Sequence, residues 1–83
     1  MKERIPAEIF PPGDFIREEM EERGWSLTDM AYHSVLPEPE LQAILDGGRI
    51  TGSQAEHIGF AFGTSAIVWA NLSMAYQKWR PRP

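Results

Sequence analysis

Apolar positions in this chain recur three and four residues apart in short runs broken by glycine and proline, a pattern that predicts helices. Prolines 6, 11 and 12 keep the first dozen residues extended, because proline disfavours helical geometry in its predecessor. The first helix begins near Pro12-Gly13-Asp14 and ends at Arg23-Gly24, with Phe15, Ile16 and Met20 inward and Glu18, Glu19, Glu21 and Glu22 mostly toward water. Ser26 is placed to cap a second, short helix running from about Leu27 to His33, and Asp29 holds the acid position of a capping box. Leu27, Met30 and Ala31 form its buried face.

Ser34-Val35-Leu36-Pro37 reads as a turn, followed by a third helix from about Glu38 to Asp46 with Leu41, Ile44 and Leu45 inward. Pro39 is tolerated there because it falls in the first turn, where no amide hydrogen is yet required. Gly47-Gly48 supplies a left-handed stop. Thr51 or Ser53 caps a fourth helix with Ala55, Ile58, Gly59 and Phe62 inside, ended by Gly63. Thr64 or Ser65 opens a fifth, in which Val68, Trp69, Leu72, Tyr76 and Trp79 form a broad apolar stripe before Pro81 stops it.

The expectation is an all-α fold: a compact five-helix domain over residues 12–80, with an extended arm at 1–11 and a tail at 81–83. Its centre, about 26–47, has the layout of a helix-turn-helix, whose second helix is shaped to enter a DNA major groove. Most of the fifth helix's stripe reads as core, and Trp79, near its end, is left over for a partner. Trp69, Tyr76 and Trp79 together make the candidate partner or dimer interface.

Composition narrows the class. Eighty-three residues with 42% hydrophobic and 24% charged side chains suit one ordinary globular domain. No apolar run approaches the roughly 20 residues of a membrane span, and MKERIPAEIF lacks the apolar centre of a secretion signal, so a cytoplasmic protein is expected. With no cysteine, disulfides, thiol catalysis and thiolate metal sites are excluded.

Charge complicates the picture. The formal net charge is -4, unlike the basic footprint of most nucleic-acid binders. Residues 1–24 carry seven acids and four bases, residues 25–48 four acids and no base, and residues 49–83 four bases and the single acid Glu56. Phosphate contacts are therefore expected from Arg49 and the C-terminal Lys78, Arg80 and Arg82, or from backbone amides.

On the third helix the side chains outside the core stripe are Glu38, Glu40, Gln42, Ala43 and Asp46. Gln42 has the chemistry to pair with adenine, Glu38 or Glu40 to accept from the cytosine amino group, and Ala43 to touch a thymine methyl. Thr28, Glu38, Glu40, Gln42, Ala43 and Arg49 are the candidate DNA-binding set. The alternative reading of Glu38 and Glu40 is a solvated helix start favoured by the helix dipole. His33 and His57 lack metal-site spacing and read as helix-surface or boundary residues. No acid is placed against a histidine or nucleophile in a recognisable arrangement, and Gly47-Gly48 follows a helix with no lysine after it, so neither an enzyme nor a cofactor is expected.

Three segments, PPGDFIREEMEERGWS, LPEPELQAILDGGR and FGTSAIVWANLSMAY, resemble the lambda-repressor-like helix-turn-helix (XRE) superfamily, and within it the HigA-type group of antitoxins and regulators. The resemblance covers about Pro11 to Tyr76. It implies a homodimer that binds operator DNA, represses its own operon and, in antitoxins, restrains a cognate toxin. Two departures stand out: Leu27 occupies the place where the family usually has glutamine, and the third helix opens with Glu38-Pro39-Glu40 in place of small polar and basic residues. The rival expectation is a protein-interaction module whose acidic helix-turn-helix face binds a toxin or another protein partner.

Overall fold

The computed structural model describes residues 10–79, and side chains as far as Lys78. Most of the expected arm, the tail, Arg80, Arg82 and the Trp79 side chain lie outside the described residues. Five helices follow in order: α1 (Pro12–Arg23), α2 (Leu27–Ser34), α3 (Glu38–Leu45), α4 (Gly52–Phe62) and α5 (Ala66–Trp79). Their ends follow the local chemistry of the chain. Gly24 and Gly63 adopt the left-handed conformation that closes α1 and α4. Capping boxes start α2 (Ser26 with Asp29) and α4 (Thr51 with Gln54), which makes Thr51, not Ser53, the cap of α4.

The core gathers one stripe from each helix: Ile16 and Met20 from α1, Met30 from α2, Leu41, Ile44 and Leu45 from α3, Ala55, Ile58 and Phe62 from α4, and Trp69 from α5. α4 packs most extensively on α5, and α3 is held between α1 and α2. The α1–α3 crossing depends on Gly13. A Cβ there would stand 2.6 Å from the Ile44 carbonyl oxygen and 2.8 Å from the Leu45 Cα, so only glycine lets the two backbones meet.

Helix α5 departs from expectation in its phase. Trp69, expected at a partner or dimer surface, is 4% exposed and packs against Phe62, with its indole N–H donating to Thr64 Oγ1 at 2.7 Å. Val68, expected inward, is 47% exposed. The buried line runs through Trp69 and Ser73, with Leu72 and Tyr76 half-buried beside it, and the opposite face presents Ile67, Val68, Asn71 and Met74 to solvent. An almost wholly apolar helix gives no polar edge by which to read its rotation, and the polar residue Ser73 sits inside.

Candidate nucleic-acid interface

Two helices present the site. The Ser26 hydroxyl accepts from the Asp29 amide at 3.1 Å, and Asp29 accepts from the Ser26 amide at 3.0 Å, which fixes the start of α2. At its other end the buried Ser34 hydroxyl donates to the Met30 carbonyl at 2.7 Å, and His57 Nδ1 lies 2.8 Å from the Ser34 carbonyl, tying α4 to the turn. Val35 then reverses the chain at φ 59°, ψ 38°, a left-handed conformation unusual for a β-branched residue.

Helix α3 follows with its apolar stripe buried and Glu38, Glu40, Gln42, Ala43 and Asp46 exposed, as the sequence pattern predicts. Its amino end offers little to an anion. Pro37 is the cap, Pro39 has no amide hydrogen, and the Glu40 and Leu41 amides both donate to the Pro37 carbonyl at 3.1 Å.

The polar side chains along this edge engage one another. Thr28 Oγ1 donates to Glu38 Oε2, Gln54 Nε2 to Glu40 Oε1, and Gln42 Nε2 to Asp46 Oδ1, each at 3.0 Å. Thr28, Glu38, Gln42 and Ala43 thus share one exposed surface of the α2–α3 pair, whereas Glu40 turns toward α4. Gln54 and Arg17 were not part of the expected site. Arg17 donates to the Leu45 carbonyl at 3.1 Å and lies 3.9 Å from Asp46, placing a cation of α1 at the carboxyl end of α3. Cross-helix partners of this kind have no periodic signature in sequence.

Two other cations flank the edge. Arg49 is exposed on the loop after α3 and lines, with Ile50, Thr51, Gly52, Ser73 and Lys78, an open cleft of about 670 Å³ between that loop and α5. The Gln54 amide bonds the Thr51 hydroxyl, so the first-turn amides of Gly52 and Ser53 are the ones left without intrahelical partners beside Arg49. Arg23, by contrast, is engaged elsewhere: it pairs with Glu19, donates to the Phe62 carbonyl at 3.3 Å and lies over the Phe62 and Trp25 rings.

A capped helix pair, a buried inner stripe on its second helix and an outward polar edge, closed by α4 packed on α5, define a lambda-repressor-like helix-turn-helix domain. A solved structure described as an addiction module antidote protein of a HigA family from Coxiella burnetii matches with a TM-score of 0.78 and 32% sequence identity, over 84% of this chain and 78% of that one. The chain belongs to the HigA family. No family model matches it, and no curated protein does.

Proposed function

We propose that this chain is the antidote of an addiction module and represses its own operon as a homodimer, with α3 in the major groove of operator DNA. The observation that carries the reading is the pairing of an outward α3 edge with Arg49 and Lys78 on a neighbouring cleft, where they flank the α4 amino end. Arg49, Lys78 and the free first-turn amides of α4 hold phosphates, which fixes register. Gln42, Ala43 and the Glu38 carboxylate steadied by Thr28 then meet base edges. The exposed Ile67, Val68 and Met74 of α5, rather than Trp69, supply the dimer contact, and Tyr76 borders it. Such a repressor works in the cytoplasm, where its operator and its toxin are.

Titration of the protein against its own promoter duplex tests this. Affinity should fall with salt at a log–log slope of about 0.9 per phosphate neutralised, and Arg49→Ala should lower that slope by about one phosphate's worth per protomer. Binding that is absent or independent of salt would end the proposal.

One observation favours a second reading, in which the edge docks a basic protein instead. Glu38, Glu40 and Asp46 already accept from neighbouring side chains, and no lysine or arginine lies between Gly24 and Gly48. Charge reversal at Glu38 and Glu40 separates the two, since it strengthens DNA binding under the first reading and abolishes partner binding under the second.

A further inference from the structure

We propose that Val35 and Phe60 form the docking surface for the basic face of the chain's protein partner, with an arginine or lysine of that partner seated against Glu56. The inference rests on the antidote reading, which requires a protein partner, and it assigns that partner a surface distinct from the α3 edge.

Two large apolar side chains stand out from the end of α2 and the outer side of α4, exposed by 68% at Val35 and 78% at Phe60. Val35, Glu56, His57 and Phe60 line one cleft of about 320 Å³. The His57–Ser34 bond holds α2 and α4 together beneath it, so the walls are fixed before any partner arrives. Exposed apolar side chains grouped in this way mark interaction surfaces, and aromatic anchors dominate the energetics of such surfaces.

Val35 adds an independent argument. Its left-handed conformation suits glycine and strains a β-branched residue, yet its side chain gains little packing within the monomer. Strain held at an exposed apolar residue is understandable where that residue meets something outside the chain.

Charge selects the occupant. Glu56 is the only acid after Asp46, it has no ion pair among the described residues, and no lysine or arginine lies between Ile50 and Gln77. In a second copy of this chain, Arg17 and Arg23 already face Asp46 and Glu19, and Arg49 and Lys78 lie on the cleft assigned to phosphate. DNA would bring phosphate toward a carboxylate and an aromatic ring. A basic polypeptide meets every feature: its cation pairs with Glu56 and lies over Phe60, while its apolar side chain enters the cleft beside Val35.

The test is calorimetric titration of the full chain with the product of the gene adjoining its own. Phe60→Ala and Glu56→Lys should each weaken the complex by about tenfold or more, while Glu22→Gln, exposed on α1, leaves it unchanged. Val35→Gly should weaken it too without lowering the melting temperature, which separates docking from folding. Wild-type affinity in all three patch variants would overturn the surface and leave the antidote reading standing. Failure of the wild-type chain to bind that product would overturn both.

Discussion

Ser73→Ala isolates the hydrogen bond that holds the Arg49 loop to the body of the domain. Ser73 is 2% exposed, and its hydroxyl accepts from the buried Ile50 amide at 2.9 Å across 23 residues of chain. Alanine keeps nearly all of the side chain's volume, so the loss is electrostatic: a buried amide hydrogen without an acceptor, costing about 1 to 3 kcal/mol. The cleft lined by Ile50 and Ser73 lets water approach, which favours the lower half of that range, about 1 to 2 kcal/mol. For a domain of this size the melting temperature should then fall by about 4 to 16 °C. Urea denaturation followed by circular dichroism measures the global change, and amide exchange reads the local one. Ile50 exchange should accelerate about 5- to 30-fold from the native state. A stability change below about 0.5 kcal/mol together with unchanged Ile50 protection would refute the account.

Two further substitutions probe the frame that presents α3. Ile44→Ala removes a side chain that is almost wholly buried and should cost about 2 to 5 kcal/mol in urea denaturation, and a cost under about half a kcal/mol would show that the inward face of α3 is misassigned. Gly13→Ala drives a methyl group into the α3 backbone, so α1 and α3 must separate at a cost of about 1 to 3 kcal/mol, and an unchanged urea midpoint would refute the close crossing.

What could be read from the sequence was whatever is decided locally. The Ser26–Asp29 box depends on residues three apart, and the glycine stops at Gly24 and Gly63 on a single backbone conformation, so those helix ends follow from the string of residues alone. The α3 stripe was legible because charged neighbours frame Leu41, Ile44 and Leu45. The rotation of α5 was not, since no charged residue occurs between His57 and Gln77 to mark the wet side. Trp69 therefore fits a partner surface by pattern although it fills the core, and nothing in the string marks the exposed face of Ile67 and Met74. The Gln54–Glu40 and Arg17–Leu45 bonds join residues 14 and 28 apart, and only the packing of the helices brings them together. Val35 is hidden for another reason: a valine gives no hint that its backbone will turn left-handed.

The conflict between a DNA-reading fold and an acidic reading edge becomes narrower once the acids are placed. Glu40 is drawn toward α4 by Gln54, and Asp46 lies at the carboxyl end of α3 beside Arg17. Of the acids on α3, only Glu38 remains at the end of the helix that would enter a groove, and Thr28 holds it. One steadied carboxylate is compatible with cytosine readout, which requires an acceptor, provided that cations elsewhere supply the phosphate attraction. Arg49 and Lys78 stand together on one cleft, so on the proposed reading the charge that would attract a duplex is separated from the charge that would discriminate among bases. On this arrangement the salt dependence belongs to the flank and the sequence preference to the edge. Arg49→Ala should therefore weaken all duplexes alike, whereas Glu38→Gln should alter the order of preference among them; both substitutions acting in the same way would mean that the edge reads nothing.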